Sequence, residues 1–209
     1  ISNARAYDTS IASQSTEQLT VTGATGHAFS SDGTKVITTR STDLDEYLLS
    51  IPWDLDSGTS TGVTFDTTPE IDGFSSQGVA FNSTGTKMYI PANDDVVYQY
   101  NLTVPWSISS ASYSGNSTST AGQETFVRDI DFRPDGRVMF LSDSPGEIFA
   151  YDLTVPWDIS TAVYNGVSLT TSGTGGDGGL AFNEYGTALY VASPSNSTIY
   201  VYELGLPWD

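Results

Sequence analysis

The sequence predicts an all-β fold made of four copies of one structural repeat, and three observations lead to it. The four tryptophans follow one another at intervals of 53, 51 and 51 residues. Each closes a short run of alternating apolar and polar residues, which is the pattern of a β-strand. No segment of comparable length has a clean helical period. Repeats of this length are typical of propeller blades, so we expect a four-bladed β-propeller with four-stranded antiparallel blades.

Each repeat carries the same aromatic landmarks. A tyrosine stands six residues before every tryptophan, and earlier in the repeat a Phe is followed four residues later by a turn Gly. Because the Tyr and Trp recur in every unit, we interpret them as packing between blades rather than as a stacking platform for sugars. These repeat residues are Trp53, Trp106, Trp157 and Trp208, with Tyr47, Tyr100, Tyr151 and Tyr202.

The second repeat shows the order of strands that we expect within a blade. Residues 78–81 form an inner strand, 82–85 a hairpin turn and 87–91 a second strand. Residues 96–102 alternate as a third strand, which ends at the Pro-Trp corner because Pro cannot donate to a ladder. A last strand around 111–113 precedes a link rich in Ser, Thr and Gly.

We expect a single domain over residues 1–209, with the ring closed by its N-terminal strand. The string Ile-Ser-x-Ala that follows Trp157 recurs at Ile1, so residues 1–7 complete the last blade and remove an open edge. Two other arrangements stay open: a part of a longer propeller array, or closure by a neighbouring subunit. The predicted blades cover residues 26–60, 78–113, 129–164, and 179–209 together with 1–7.

Composition and charge exclude several classes of function. The chain has no Cys and one His, so disulfides, thiolate metal sites and multi-histidine centres are excluded. Seven Lys and Arg stand against 25 Asp and Glu, and the net charge of −18 repels nucleic acid and anionic membranes. No apolar run reaches the roughly 18 residues of a membrane helix. We therefore expect no membrane insertion and no cofactor.

The repeat resembles a known group of proteins. Units of the form Phe-x-x-Asp-Gly-Thr-Lys, followed by Tyr-x-Tyr-(Asn/Asp)-Leu-Thr-Val-Pro-Trp-Asp-Ile-Ser, are similar to the tandem β-propeller repeats of bacteriophage tail or virion proteins and bacterial surface proteins. Residues 81–111 and 132–162 match closely, whereas Thr84 and Tyr185 replace the turn Asp. The resemblance implies an extracellular structural role, and it carries no catalytic motif.

These observations predict a non-enzymatic structural or adhesion module outside the cell, in a phage tail, a virion or a surface fibre. The expected partners are further copies of the chain or other virion or fibre proteins. One alternative is a lectin-like propeller that binds a cell-surface glycan through loops that differ between repeats. A glycoside hydrolase is a further alternative.

The hydrolase alternative depends on Asp129 and Asp131. They flank Ile130 on the inner strand of the third repeat, where the other repeats have Gly and Ala. Two carboxylates are able to act as acid and base, or as weak candidate ligands for Ca²⁺. Nearby Arg128 and Arg133 would instead neutralise the pair.

Other candidate positions receive structural interpretations. His27 aligns with apolar residues of the other repeats, which favours a structural histidine over a general base. Four Asn-x-Ser/Thr sequons offer glycan attachment if the chain meets a glycosylating environment, and they lie at Asn82, Asn101, Asn116 and Asn196.

Overall fold

The computed structural model describes residues 18–71, 77–123, 126–144, 146–171, 178–193 and 197–208, and within them it is all-β. The fifteen strands of these residues form four antiparallel sheets in chain order. The first sheet contains β1 (Gly26–Phe29), β2 (Lys35–Arg40), β3 (Asp43–Leu49) and β4 (Gly58–Asp66); the second contains β5 (Ala80–Phe81), β6 (Lys87–Ala92), β7 (Val96–Leu102) and β8 (Ala111–Ser119). The third contains β9 (Val127–Phe132), β10 (Val138–Asp143), β11 (Glu147–Leu153) and β12 (Ala162–Thr170); the fourth contains β13 (Gly179–Phe182), β14 (Ala188–Ser193) and β15 (Thr198–Glu203).

The prediction of a four-bladed β-propeller is confirmed. Each sheet is one blade, in which consecutive strands pair as a meander from the inner strand outward. Three blades have four strands, and the fourth has three strands among the residues that the structure describes. The predicted closing strand, Ile1 to Tyr7, lies outside the described residues. Among those residues, no helix is long and apolar enough to cross a bilayer.

The outer strands are longer than the sequence predicts. Strands β4, β8 and β12 run six residues beyond the expected ends of their blades, at 60, 113 and 164. A glycine with φ between 73° and 89° lies inside each strand, and the pairing with the third strand shifts register there. Such a bulge allows a polar segment that contains Gly to remain in the sheet, although the composition of this segment is typical of a connecting loop. The three glycines are Gly62, Gly115 and Gly166.

The hydrophobic core lies between blades. We call the side of each blade that faces the next blade in chain order its forward face, and the opposite side its rear face. Ile37 and Leu44 on the forward face of the first blade pack with Met88 and Tyr100 on the rear face of the second. The interfaces between the second and third blades and between the third and fourth blades contain corresponding clusters. Inter-blade packing therefore holds the ring together.

Each Pro-Trp corner places its indole over the turn glycine of the same blade. Every Trp has φ between 58° and 67°, and its backbone N–H donates to the carbonyl of that glycine at 2.7–2.9 Å. The ring also packs against the Phe of its own blade, with centroids 4.8–5.3 Å apart. Contacts across an interface are longer, such as 6.4 Å between Tyr89 and Trp157. The tryptophans thus pack first within a blade and only secondarily between blades.

Candidate functional site: the axial cavity

The inner strands surround a cavity of about 640 Å³ on the propeller axis. It extends along the forward face of the fourth blade, so that this face and strand β1 lie on two of its sides. The walls combine backbone of inner-strand glycines with aromatic and acidic side chains. Lining residues that bear on its chemistry are His27, Phe29, Trp106, Asp129, Asp131 and Tyr190.

Asp129 and Asp131 lie on strand β9 and reach the inner strand of the fourth blade. Oδ2 of Asp129 accepts the backbone N–H of Leu180 at 2.9 Å, and Oδ2 of Asp131 accepts that of Phe182 at 3.3 Å. Because side chains alternate along a strand, Asp129 and Asp131 project from the same face of β9, and Ile130 between them projects from the other face. The pair therefore links the third blade to the fourth.

The site of Asp129 depends on glycine in the second blade. A Cβ at Gly78 would overlap Oδ1 of Asp129, so only glycine fits beside this carboxylate. The other repeats have Gly and Ala at the positions of the two aspartates. Because these residues are small, the axis has room for the one acidic pair. This spatial complementarity joins blades that are not paired by strand hydrogen bonds.

Loss of water changes the acidity of both carboxyls. Burial raises the pKa of Asp129 to about 7 and that of Asp131 to about 6, against an ordinary value of 3.8. The backbone N–H donors favour the charged form and oppose part of the rise in each pKa. The negative charge of Asp131 adds slightly to the rise in the pKa of Asp129. The pair is thus able to hold a proton near neutral pH, as an acid catalyst requires.

The two arginines nearby in sequence have other partners. Arg128 donates to the amide oxygen of Gln77 at 3.2 Å, and Arg133 pairs with Asp135 at 2.8 Å. Within the described residues, neither carboxylate of the pair has a basic side chain at ion-pair distance, so the expected neutralisation by arginine is wrong. Backbone N–H groups take the place of the arginines as partners.

The remaining residues of the cavity do not complete a metal site. His27 is exposed to the cavity, although the walls remove enough water to lower its pKa, and its ring meets Phe29 edge-on at 6.0 Å. The expectation of a packed structural histidine at an apolar position therefore needs correction. Among the described residues, no group of three or more His, Cys, Asp and Glu side chains is placed to hold an ion.

The sequons lie in different environments. Asn82 is buried, and its side chain caps the hairpin turn by accepting the N–H of Thr86 and of Lys87, so its amide has no room for a glycan. Asn116 is half-buried and donates to Asp158 of the third blade at 2.9 Å. Asn101 is exposed on β7, and Asn196 lies outside the described residues.

The polar ties between blades are a feature that the sequence analysis missed. Lys35 donates to the carbonyl of Trp106 at 3.1 Å, and Lys87 to that of Trp157 at 2.8 Å. Their recurrence six residues after the Phe of the repeat is visible in the sequence, but an exposed lysine in a strand would look the same. Only the distance to the next blade's corner identifies the role.

A second tie binds the short 3-10 turn after the corner. In the second and third blades this turn begins with a buried isoleucine, Ile108 or Ile159, whose N–H donates to Glu46 or Gln99 of the preceding blade at 3.2 Å. The third blade has Val138 and Ala150 at the corresponding positions. There the Asp129 and Asp131 pair provides the polar ties instead.

No protein-family model matches the chain, and no curated protein matches it either.

Proposed function

We propose that the chain is a non-enzymatic structural propeller of an extracellular assembly, such as a phage tail, a virion or a surface fibre, and that it associates with further copies of itself. The observation that carries the proposal is the forward face of the fourth blade. Ile199 is 60% exposed and Val201 is 44% exposed. The residues at the position of Ile199 in the other three blades, Leu44, Val97 and Ile148, are buried.

The forward face of the fourth blade is also free of the polar groups that tie the other blades. Ala188 and Val201 occupy the positions of Lys35 and Glu46, and its inner strand has Gly179 where the third blade has Asp129. Ile199 and Val201 are thus neighbouring apolar side chains on this face, and the exposed Glu203 follows them on the same side of β15. Exposed apolar side chains on a sheet face are typical of protein interfaces, and Ile199 also lines the edge of the axial cavity.

The use of the carboxylates supports a structural role over a catalytic one. Both inward-facing aspartates accept backbone N–H groups of the fourth blade, as Glu46 and Gln99 accept those of the turns in the next blades. Buried polar groups of a scaffold are satisfied in this way. In this interpretation, Asp129 and Asp131 hold blades in register.

Sedimentation velocity of the full chain tests self-association. The charge of −18 repels copies at low ionic strength, so we expect association to strengthen with salt and to become measurable at micromolar concentration. The double substitution Ile199→Asp and Val201→Asp should abolish it, because burying two unpaired charges is costly.

The control carries the same added charge on another exposed surface. Val163 on β12 and Leu206 near the last corner are 64% and 63% exposed, and their substitution by Asp should leave association unchanged. A native chain that stays monomeric in high salt would contradict the proposal, as would equal loss in the two double variants.

The axial cavity favours a second candidate, a propeller that binds glycans. A volume of about 640 Å³ with aromatic side chains and a carboxylate pair suits a sugar ring, which stacks on aromatics and donates hydroxyls to carboxylates. Tyr190 and Trp106 would supply the apolar contacts, and Asp131 an acceptor.

A glycan array followed by calorimetry separates this candidate from the first. Binding that disappears in Asp131→Ala and persists in Asp135→Ala, an exposed control, would favour the lectin. Release of reducing sugar by the native chain, lost in both Asp129→Asn and Asp131→Asn, would show a hydrolase and overturn the non-enzymatic proposal.

A further inference from the structure

The axial cavity has two carboxylates in its wall and no positive side chain to balance them. Asp129 and Asp131 line the cavity and are half-buried, so the cavity reaches their side chains. None of the described residues that line it is Lys or Arg. A carboxylate that is shielded from water and has no counter-ion is costly to keep charged. A cation that entered the cavity would therefore be stabilised by both side chains.

Both carboxylates also have acceptor capacity left for a ligand. Each accepts one N–H of the fourth blade and one of its own strand, from Leu180 and Ile130 for Asp129 and from Phe182 and Phe132 for Asp131. An ionised carboxylate offers about four lone-pair sites. Each is thus able to accept a further donor from the cavity while it keeps its bonds to the backbone.

Aromatic rings form other parts of the same wall. Phe29, Phe81, Trp106 and Tyr190 line the cavity, and they come from three different blades. The face of an aromatic ring attracts an organic cation and packs against the apolar atoms of the same molecule. The wall therefore combines acceptors for a charged N–H group with surfaces for the carbon body that carries it.

This wall suits an organic cation better than a metal ion. Calcium takes roughly six to eight oxygen ligands, which ring carbons do not supply. Among the residues that the structure describes, no group of three or more His, Cys, Asp and Glu is placed to hold an ion. A protonated amine has N–H donors only, and a volume of about 640 Å³ accommodates a body much larger than a single ion.

We propose that the axial cavity binds a protonated organic amine, with its ammonium group on Asp129 and Asp131 and its carbon body against Trp106 and Tyr190. The inference goes beyond the structural role proposed above, and it does not depend on association between copies. It also differs from the binding of a neutral glycan, because the carboxylates recognise the charge of the ligand rather than its hydroxyl groups.

Calorimetry with benzylamine and benzyl alcohol tests this recognition of charge. The two probes carry the same ring, but only benzylamine is a cation at pH 8. We expect benzylamine to bind the full chain with a Kd below about 1 mM, and benzyl alcohol to bind at least about tenfold more weakly.

Substitution of one carboxylate tests the residues that bind the ammonium group. Asp131→Asn removes the charge but keeps an oxygen that is able to accept the N–H of Phe182, and it should weaken benzylamine binding by about tenfold or more. Asp135→Asn is the matched control, because it removes the same charge from an exposed turn outside the cavity. It should leave the Kd within about twofold.

The pH dependence of binding supplies a measurement that needs no variant. The amine binds the charged carboxylates, whose pKa values burial raises to about 7 and about 6, so its binding displaces a proton. Between pH 8 and pH 5 the affinity should fall by at least about tenfold.

The other titratable groups that face the cavity are His27 on β1 and Tyr190 on β14, and Arg128 beside Asp129 is bonded to Gln77. Burial lowers the pKa of His27, which gains a proton only as the pH falls and then repels the amine as well. His27→Gln should nevertheless retain most of the pH dependence. A dependence that disappears in this variant would contradict the assignment to the aspartates.

The remaining outcomes identify a different kind of site and overturn the proposal. Equal binding of benzyl alcohol would show an apolar cavity without recognition of charge. Binding of Ca²⁺ more tightly than benzylamine, lost in Asp131→Asn, would show a metal site. Glucose that binds as tightly as glucosamine would show recognition of hydroxyls, which supports the lectin candidate instead. Absence of benzylamine binding at roughly 10 mM and pH 8 would show that no amine enters the cavity.

Discussion

Asp129 and Asp131 have a structural use that their residue type does not reveal. A carboxylate pair on one strand is compatible with catalysis, metal binding or neutralisation by arginine. The contacts to Leu180 and Phe182 show that the pair also satisfies backbone donors of the neighbouring blade. The sequence places both side chains on the inner strand, but their partners lie 51 residues away and become visible only in three dimensions.

The raised pKa values predict a specific dependence of stability on pH. Because the folded-state pKa of Asp129 is about 7 and its ordinary value is 3.8, its contribution is complete below about pH 4 and is lost as the pH rises through 7. Asp129 should account for a loss of about 4 kcal/mol in unfolding free energy over this window. Asp129→Asn should make the profile less steep and leave the smaller part that belongs to Asp131, measured by urea unfolding at pH 4.5 and 8.

Asp135→Asn provides the matched control for this experiment. The hydrogen bond from Arg133 lowers the pKa of Asp135, so its effect on stability has the opposite sign and is confined to lower pH. The slope between pH 4 and 7 should remain in this variant. Parallel profiles for the native chain and Asp129→Asn would contradict the assignment.

The Pro-Trp corner shows how an element uses an unfavourable backbone conformation. In the second blade, the N–H of Ser107 donates to Val104 across Pro105 and Trp106, which is a type II β-turn with Trp at the position that normally requires Gly. The left-handed conformation costs about 1 kcal/mol or more. Stacking of the indole on the turn glycine and on the blade's Phe offsets this cost.

Substitution of Gly85 by Ala should therefore destabilise the second blade strongly. The glycine has φ of +68°, and a Cβ there would overlap the indole of Trp106. We expect a loss of about 2–4 kcal/mol in unfolding free energy, from backbone strain and overpacking together. Gly115→Ala is the control, because its φ is +83° and nothing lies within 4 Å of the added Cβ.

Chemical denaturation of the two variants separates strain from stacking. Gly115→Ala should lose only about 1 kcal/mol, the backbone part. Similar losses in both variants would mean that the Trp106 stack adds no constraint of its own. The local sequence does not predict this difference between the two variants, because the residues around both glycines are typical of turns.

At the scale of the whole molecule, the blades differ in how fully they are covered. The second and third blades pack on both faces, whereas the forward face of the fourth borders the axial cavity and exposes Ile199 and Val201. Local stability follows buried apolar contact. The four blades therefore have similar sequences but are packed to different extents.

Native-state hydrogen exchange should reveal this gradient. Amides of β14 (188–193) are expected to exchange at least about tenfold faster than those of the equivalent strand β10 (138–143), because the fourth blade opens without disturbing the others. Strand β6 (87–92), which is covered on both faces, serves as a second reference. Equal protection of the three strands would contradict a weaker fourth blade in the isolated chain.

The sequence alone determined the number of blades, the strand order and the positions of the corners, because these follow from local periodicity and turn chemistry that recur every 51 to 53 residues. It did not determine the extent of β4, β8 and β12, since a bulge at a glycine looks like a linker. The tertiary structure decided the partners of Asp129 and Asp131, the ties from Lys35 and Lys87, and the unequal burial of Ile199 and Ile148. These depend on contacts between residues about 50 or more positions apart, and the local sequence does not encode such distances.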